Sequence, residues 1–342
     1  MAPVLDVKDL KVSFFTLEGE VKAVDGVSYS VEEGEFVVMV GESGSGKSVS
    51  AMALMSLIQS PGRILGGEVL LEGQSILGLD EKAIRSVRGL RIGMVFQEPM
   101  TSLNPVFTIG FQLMEPLRLQ LGMDRGAANN RAIELLTMVG ISDAPLRMAQ
   151  YPYQLSGGMR QRVMVAIAMS CGPKLLIADE PTTALDVTIQ AQVLDLIKDV
   201  SVRTGTSVVL ITHNLGVVAR YADRLNIMYA GKIVESGTAQ EVFEAPRHPY
   251  TIGLLNSVPR LIGQEARLRP IMGAPPNLAR LHRGCAFQPR CEYAVERCGT
   301  EVPPLATVPL FFPDDGDSAH LSACWVSDTL SPQIAEPGKE SE

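Results

Sequence analysis

The sequence lacks the long apolar runs and the excess of basic residues that membrane-spanning and nucleic-acid-binding proteins need. No stretch approaches the roughly 18 consecutive apolar residues that cross a bilayer, so we expect no transmembrane helix. The N-terminus, MAPVLDVKDL, has no basic patch before an apolar run, so no signal peptide is expected. The net charge of −8, from 38 acidic and 30 basic side chains, disfavours a broad nucleic-acid surface.

Cysteine is also scarce, and its distribution is uneven. Only five cysteines occur in 342 residues, but Cys285, Cys291 and Cys298 fall within CAFQPRCEYAVERC and Cys324 follows in LSACWV. In the cytosol, the compartment expected without a signal peptide, thiols stay reduced, which favours a metal site or reactive thiols over disulfides. Four thiolates suit a tetrahedral zinc ion or a [4Fe–4S] cluster by count. Gaps of five and six residues are wide for structural zinc and favour the cluster, with zinc and free or regulatory thiols as alternatives.

The first feature that the sequence does have is a phosphate-binding loop. VEEGEFVVMVGESGSGKSVSAMALMSLI reads as a turn, a short apolar strand, a glycine-rich loop and a helix, and residues 41–48 match G-x-x-x-x-G-K-[ST]. Glycines let successive backbone N–H groups converge on phosphate oxygens at the positive end of the following helix. Lys47 would reach the β- and γ-phosphates, and Ser48 would hold Mg²⁺. The expected nucleotide-binding residues are Gly41, Ser43, Gly44, Gly46, Lys47, Ser48 and Val49.

A pair of carboxylates follows a second apolar strand. In KLLIADEP, residues 175–178 form a buried-strand pattern that ends in Asp179 and Glu180. Carboxylates at the end of an apolar strand carry a desolvation cost, which a binding role explains. Asp179 is placed to hold the Mg²⁺ shell, and Glu180 is placed to polarise an attacking water. The sequence therefore predicts hydrolysis as well as binding of a nucleoside triphosphate.

Three further motifs stand in order around the acidic strand. YQLSGGMRQRVMVAIAM lies between the loop and the strand, and TTALD and VVLITHN follow it. With the loop, they make the chain resemble an ABC-type ATPase subunit over roughly residues 4 to 245. The resemblance implies that ATP is clamped between two chains, with LSGGM facing the γ-phosphate bound by the other subunit. The implied contacts across that dimer are Ser156, Gly157 and Gly158 of the signature motif and Asp186 of the D-loop.

The same resemblance implies roles for other positions. Gln97 in VFQEP matches the Q-loop glutamine, which contacts Mg²⁺ or water, and His213 in LITHN matches the switch histidine of the γ-phosphate. Phe14 in LKVSFF fits the aromatic residue that stacks on adenine, with Phe15 as the alternative. Met159 replaces a glutamine of many relatives and would either weaken a polar contact or pack on its helix. The implied catalytic residues are Glu180, His213 and Gln97, and the implied Mg²⁺ ligands are Ser48, Gln97 and Asp179.

We expect an α/β fold with a P-loop ABC-type nucleotide-binding domain and a small C-terminal metal-binding extension. Strands that alternate with helical patterns predict a mainly parallel sheet core, which begins at residue 36, resumes at Lys174 and follows antiparallel strands over residues 1–35. The extension is rich in proline and poor in long apolar runs, so a bound metal would supply folding energy that its core lacks. The expected divisions are residues 1–245 for the ATPase domain, about 98–165 for its helical subdomain, 246–327 for the extension, and 328–342 for a polar, disordered tail.

The extension carries the marks of one branch of the family. EAPRHPYTIGLLNSVPR resembles the start of the C-terminal extension of oligopeptide and dipeptide permease ATPases. Physically, residues 247–251 read as an extended linker, because prolines flank the histidine. GCAFQPRCEYAVERC resembles the segment that binds [4Fe–4S] in those ATPases, which implies that Cys285, Cys291, Cys298 and Cys324 are the cluster ligands.

This branch implies an ATPase that powers the import of dipeptides or oligopeptides, closest to the dipeptide-type D subunit. The implied partners are a second homologous ATPase subunit in a heterodimer, two transmembrane permease subunits and an extracytoplasmic peptide-binding protein, with no nucleic acid. The implied location is the cytoplasmic face of the inner cell membrane, as a peripheral protein. The alternatives are an importer of nickel or another small solute in the same branch and a soluble ABC ATPase that acts on nucleic acid.

Overall fold

The computed structural model describes residues 2–98, 102–182, 186–257, 270–312 and 319–330, and β-sheets form its centre. Most of the tail predicted to be disordered, residues 331–342, therefore lies outside the described residues. Within them the strands are β1 (Leu5–Thr16), β2 (Gly19–Val31), β3 (Phe36–Val40), β4 (Gly62–Leu71), β5 (Gln74–Ser75), β6 (Ile92–Val95), β7 (Leu175–Asp179), β8 (Ser207–Thr212), β9 (Arg224–Tyr229), β10 (Lys232–Thr238), β11 (Ala306–Val308) and β12 (His320–Ser322).

Helices connect and cover these strands. Side chains of Asp80, Thr108, Asp124 and Thr238 accept hydrogen bonds at helix starts, as N-caps do. In the same parts of the chain the helices are α1 (Lys47–Leu54), α2 (Glu81–Val87), α3 (Ile109–Leu121), α4 (Arg125–Met138), α5 (Ala144–Arg147), α6 (Gly157–Met169), α7 (Val187–Thr204), α8 (Leu215–Val218), α9 (Ala239–Glu244) and α10 (Pro249–Asn256). Four of them, α3 to α6, fall in or across the region predicted to be helical, whose residues 99–101 are not described.

None of the helices in the described ranges combines the length and the apolar character needed to cross a bilayer.

An eight-stranded sheet forms the nucleotide-binding core. Its strand order is β11-β12-β10-β9-β3-β8-β7-β6, and the pairs from β9 to β6 are parallel. All residues of β3, β7 and β8 are buried, which explains why they read as unbroken apolar runs in the sequence. The predicted parallel core is thus present. Strands β9 and β10 form an antiparallel hairpin around Ala230 and Gly231.

A second, antiparallel sheet has the order β2-β1-β4-β5. Its first two strands match the antiparallel strands expected over residues 1–35. Strand β4 pairs with β1 along most of its length, although it lies in a region expected to belong to the parallel core. A strand can pair along both of its edges. Strand β2 occupies one edge of β1, and β4, a later segment of the chain, pairs with the other.

The eight-stranded sheet divides the apolar core in two. Because successive strand residues point to opposite faces, Val38 and Val40 pack in one cluster with α3, α4 and α6, whereas Val37 and Met39 pack in another. The second cluster also contains residues of α1, α2 and the antiparallel sheet. One sheet therefore joins the helical region to the antiparallel region through continuous packing.

The C-terminal extension is built onto the same sheet. Strand β12 pairs with β10, and β11 pairs with β12, so residues on both sides of the expected division at 245 share one sheet. The interpretation of residues 247–251 as a linker is wrong. Arg247, His248, Tyr250 and Thr251 are each at least nine-tenths buried, because this segment threads between the core and the extension.

Buried polar groups join the extension to the core. The ring of His320 is fully buried, with Nε2 2.8 Å from Oε1 of Glu235 and Nδ1 3.1 Å from Oε2 of Glu241. The Glu235 carboxylate also accepts the backbone N–H groups of Arg247 and His248. Both ring nitrogens lie within hydrogen-bond distance of carboxylate oxygens, so one histidine of the extension bridges two buried glutamates of the core.

We predict that His320→Ala strongly destabilises the attachment of the extension. The substitution removes the side chain that bridges two buried carboxylates, and the loss of one partner of a buried polar group typically costs about 1–3 kcal/mol. His282→Ala is the matched control, because His282 is an exposed histidine of the same extension. Urea unfolding and limited proteolysis of the full chain should show early cleavage of the extension in His320→Ala alone. Equal stability of the two variants would contradict the role assigned to His320.

A second prediction concerns the loss of folding stability at low pH. Burial lowers the pKa of His248 to about 3, and its Nδ1 accepts a hydrogen bond from the Tyr250 N–H. The unfolded chain, with a histidine pKa of about 6.5, therefore binds more protons below that pH, and stability falls as the pH drops, by up to about 1.4 kcal/mol per pH unit from this group.

Unfolding free energies measured at intervals from about pH 7.5 to pH 5 check this prediction. His248→Asn keeps an oxygen that can accept the Tyr250 N–H but cannot titrate, so its stability should depend less steeply on pH. An identical pH dependence in the parent chain and the variant would show that His248 is not responsible.

Candidate functional site

The P-loop lies between β3 and α1 and needs glycine at two positions for steric reasons. A Cβ on Gly41 would lie 2.2 Å from the carbonyl oxygen of Met228, and a Cβ on Gly46 would lie 2.1 Å from that of Ala23. Gly46 also has a φ of 104°, in the left-handed region, directly before the first residue of α1. The glycines thus allow a tight turn that leads directly into the N-terminus of α1. Backbone N–H groups bind phosphate at such a helix end.

Lys47, the first residue of α1, folds back over the loop. Its Nζ donates to the carbonyl oxygens of Gly41 at 2.8 Å and of Glu42 at 2.9 Å. Burial lowers the pKa of Lys47, and the nearby carboxylates of Glu180 and Asp179 act in the opposite direction. A buried ammonium bound to carbonyl oxygens can exchange them for phosphate oxygens, which bind it more strongly because they are charged.

Two of the three expected Mg²⁺ ligands, Ser48 and Asp179, are in direct contact. The Oγ of Ser48 donates to Oδ1 of Asp179 at 2.8 Å, although 131 residues separate them in the chain. Asp179 is 6% exposed, and this burial raises its pKa, while the hydrogen bond from Ser48 and the charge of Lys47 lower it. A hydroxyl and a carboxylate side by side are oxygen ligands of the type that Mg²⁺ prefers, so the donor set fits the ion.

Glu180 connects the remaining predicted catalytic residues. Its Oε2 lies 3.3 Å from Nε2 of Gln97 and 3.2 Å from Nδ1 of His213. Its backbone has a φ of 43°, the left-handed region that a residue with a side chain seldom occupies. Such strain concentrates at functional sites, where the surrounding structure holds it. The structure therefore brings Gln97, Glu180 and His213 together as the sequence predicted.

These groups line one open cavity of about 760 Å³. The predicted site residues on its wall, nucleotide-binding or catalytic, are Ser43, Gly44, Gly46, Lys47, Ser48, Val49, Gln97, Glu180 and His213. The sequence did not predict the rest of the wall. Glu42 and Ala23 contribute on one side, and Leu254, Ser257, Pro270 and Ile271 of the extension contribute on another. No local motif marks these extension residues, because they reach the cavity only through tertiary packing.

The aromatic residue expected to stack on adenine does not line this cavity. The ring of Phe14 is partly buried against the core and lies over Gly62, whose Cβ position would be 2.7 Å from it. The alternative, Phe15, is 44% exposed and lies beneath the guanidinium group of Arg63. Contact of Phe14 with adenine stays a prediction.

The signature motif and the D-loop aspartate lie outside this cavity. Ser156 caps α6 by accepting the Met159 N–H, and Asp186 caps α7 by accepting the Ile189 N–H. Ser156, Gly157 and Asp186 are exposed, and residues 183–185 of TTALD are outside the described residues. Met159 packs against the apolar core, which fits the second of the two expectations for it.

The four cysteines of the extension converge, but they do not form a ready site for a single metal ion. Cys285, Cys291, Cys298 and Cys324 are unpaired thiols that line one small pocket. The described residues contain no group of three or more His, Cys, Asp or Glu side chains arranged to hold a metal ion. The predicted metal-binding character of the extension is therefore not borne out.

The environment of the thiols differs from the expected one in a second respect. Burial raises the pKa of Cys291 to about 11 and that of Cys324 to about 12, so both are neutral thiols at ordinary pH. The arginines that directly precede Cys291 and Cys298 are both paired with glutamates. Arg290 binds Glu42, and Arg297 binds Glu301 and stacks on Trp325.

Comparison with known families agrees with this geometry. The family model described as "ABC transporter" matches residues 24–183, which contain the P-loop, the signature motif and the acidic strand. The model described as "Oligopeptide/dipeptide transporter, C-terminal region" matches residues 234–298. The second match spans β10, the buried segment after it and three of the four cysteines.

Individual relatives cover nearly the whole chain. The oligopeptide transport ATP-binding protein AppD of Bacillus subtilis is 51% identical over 308 residues, which cover 90% of this chain and 94% of AppD. OppD of Salmonella typhimurium is 50% identical over 301 residues, which cover 88% and 89%. The structure of the dimeric ATP-binding cassette MJ0796 with ADP and Pi has a TM-score of 0.62 and 29% identity, covering 69% of this chain and 98% of that one. The chain therefore belongs to the ABC transporter ATP-binding proteins, in the branch that carries the oligopeptide/dipeptide transporter C-terminal region.

Proposed function

We propose that this chain is the ATP-hydrolysing subunit of an importer that moves dipeptides or oligopeptides through separate membrane permease subunits. The observation that carries the ATPase part is the convergence of Lys47, Ser48, Glu180 and His213 at one cavity, with Asp179 hydrogen-bonded to Ser48. The names of the relatives, oligopeptide transport ATP-binding proteins, support the peptide substrate and disfavour nickel or a nucleic acid.

The chain's own residues divide the work of binding and hydrolysis. P-loop backbone N–H groups and the Lys47 ammonium bind the phosphates, with Lys47 leaving the Gly41 and Glu42 carbonyls. Ser48 and Asp179, with Gln97, would hold Mg²⁺, which neutralises developing phosphate charge when bound. Glu180 orients and polarises the attacking water, while Gln97 and His213, both within contact of its carboxylate, respond to the γ-phosphate.

A second ATPase subunit completes the site in this proposal. Ser156, Gly157, Gly158 and Asp186 do not line the chain's own cavity, and that cavity is open on one side. An exposed helix N-terminus with two glycines suits the γ-phosphate of a nucleotide bound by a neighbouring chain. The neighbour can be an identical chain or a homologue. In either case the signature residues of one chain contact the nucleotide of the other, so hydrolysis depends on dimer formation.

The helical region offers a surface for the permease. Val106, Phe107 and Phe111 are exposed, and the two phenyl rings stack at 4.5 Å between centroids. They follow Gln97 by a short stretch of chain, so movement of Gln97 on ATP binding can be passed to this surface. We place the subunit at the cytoplasmic face of the inner membrane, where permease helices meet it, with the peptide delivered by an extracytoplasmic binding protein.

The four cysteines hold a [4Fe–4S] cluster in this proposal. Each thiolate of such a cluster binds a different iron, so the sulfurs stand further apart than around one zinc ion. Four cysteines that line one pocket supply the number and type of ligands that such a cluster needs. His248 also lines the pocket, but its Nδ1 is already engaged by the Tyr250 N–H. A bound cluster would join the stretch from Cys285 to Cys298 to the segment that carries Cys324.

We predict that Glu180→Gln abolishes hydrolysis but keeps ATP binding. Loss of the carboxylate that polarises water should lower kcat by at least about 100-fold in the assembled transporter. Glu244→Gln is the matched control, because Glu244 is an exposed glutamate away from the cavity. Steady-state ATPase assays with parallel nucleotide binding check the prediction. A Glu180→Gln transporter that hydrolyses ATP at the parent rate would remove Glu180 from its assigned role.

We predict that anaerobically purified protein contains about four iron atoms and four acid-labile sulfides per chain, with broad visible absorption. Cys291→Ser should lose both, whereas Cys171→Ser should keep them, because Cys171 lies outside the pocket. Elemental analysis, sulfide determination and the visible spectrum provide the measurement. One zinc per chain, or no metal, would refute the cluster and leave the ATPase proposal intact.

A further inference from the structure

The P-loop is fastened to the C-terminal extension by a buried ion pair. The carboxylate of Glu42, the second residue of the loop, accepts two hydrogen bonds from the guanidinium group of Arg290, at 2.7 Å from Nη1 and 2.9 Å from Nη2. The Arg290 side chain is 5% exposed and that of Glu42 is 25% exposed. The two residues are 248 positions apart in the chain. This is the forked geometry in which arginine binds carboxylate most strongly.

Arg290 is itself held in place from several sides. Its Nε donates to the carbonyl oxygen of Met272 at 3.0 Å, and Nη1 lies 3.3 Å from the Tyr229 hydroxyl. The guanidinium group also lies 5.9 Å from the ring centroids of Tyr229 and Phe287. A guanidinium fixed by packing and by a third hydrogen bond loses little further freedom when it binds a carboxylate. The position of the Arg290 guanidinium group is therefore set by contacts other than Glu42, and Arg290 holds the Glu42 carboxylate at that position.

The backbone of Glu42 is engaged as well. Its N–H donates to the hydroxyl of Tyr250 at 2.8 Å, and its carbonyl oxygen accepts from Lys47 at 2.9 Å. Tyr250 is fully buried, so its hydroxyl has a fixed position. The carboxylate and the N–H of Glu42 are thus bound by residues C-terminal to the ATPase motifs, and its carbonyl is bound by the phosphate-binding lysine.

We propose that Arg290 is a positioning residue of the nucleotide site, which presets the P-loop for phosphate through Glu42. The inference rests on the binding of ATP by this loop. A loop that already has its binding geometry loses little conformational entropy when the nucleotide binds. Its affinity for the nucleotide is therefore higher than that of a loop that must first become ordered. Displacements of about 1 Å in such a site can cost up to 100-fold in function. The alternative is that the pair only attaches the extension to the core.

The experiment uses the full-length chain with its native metal content. Equilibrium binding of ADP, measured by calorimetry, is compared for the parent, Arg290→Ala, Glu42→Ala and the double variant. Arg290→Ala should weaken ADP binding about tenfold, and the double variant should be no weaker than the single variants, because both remove the same interaction. In the assembled transporter the KM for ATP should rise in parallel, while kcat changes less.

Two further variants, Arg290→Lys and Arg297→Ala, test whether the forked hydrogen bonds of Arg290 are what the nucleotide site requires. Lysine keeps the charge but cannot form the fork, so Arg290→Lys should fold like the parent and bind ADP with intermediate affinity. Arg297 also directly precedes a cysteine and pairs with a glutamate, but it and Glu301 are each 54% exposed, so Arg297→Ala should leave ADP affinity within about twofold.

Two results would overturn the proposal. One is a lower melting temperature for Arg290→Ala with unchanged ADP affinity, which would make the pair an attachment alone. The other is additive losses in the double variant, which would show that the two residues act separately. A parent chain that binds no ADP would instead refute the nucleotide site itself, so the two failures can be told apart.

Discussion

The parallel pairing of β6, β7, β8 and β3 is the constraint on which the whole site depends. In parallel strands the carboxyl ends lie at one edge of the sheet, and the register aligns Val95 with Ala178, Asp179 with Ile211, and Thr212 with Val40. The residues that follow those strand ends are Gln97, Glu180, His213 and the P-loop. Four separate parts of the chain thus meet at a single edge, where α/β sheets bind their ligands. Without this register the motifs would still be present in the sequence but would not form a site.

The second organising feature is the set of buried polar groups that integrate the extension. A small segment without long apolar runs forms only a small core of its own. Here β11 and β12 extend the core sheet, His320 bridges Glu235 and Glu241, and Arg290 binds Glu42. Buried pairs of this kind add little net stability when complete and are costly when one partner is lost. They therefore specify where the extension docks, and in this chain the docking places Leu254 and Ile271 on the wall of the nucleotide cavity.

This integration gives the cysteine segment a route to the ATP site. Arg290 directly precedes Cys291 and reaches the P-loop, while His248, beside the same pocket, caps the helix that carries Leu254. The path from the cysteine pocket to the P-loop is therefore short, because the hydrogen bonds from Arg290 to Glu42 connect the two directly. A cluster in the pocket would stabilise the near end of that route, and a nucleotide would stabilise the far end.

The sequence by itself determined the chemistry near the phosphates. The P-loop, Asp179 and Glu180 were predicted because each is a local pattern: glycines at fixed spacing before a helix, and carboxylates directly after an apolar strand. Their order with LSGGM and LITHN was enough for the family, which the comparisons confirmed. Gln97 and His213 were assigned only through that resemblance, and in the structure both side chains lie within contact of the Glu180 carboxylate.

Only the tertiary structure decided what the extension does to the core. Residues 247–251 looked like a linker because proline fixes local conformation, but burial depends on which distant segments pack against them. The pairing of β4 with β1, the bridge from His320 to two glutamates, and the ion pair between Glu42 and Arg290 have no local signature. Their partners are far apart in the chain, and a single charged residue gives no sign of its counterpart until the backbone has folded. The sequence alone therefore could not specify these contacts.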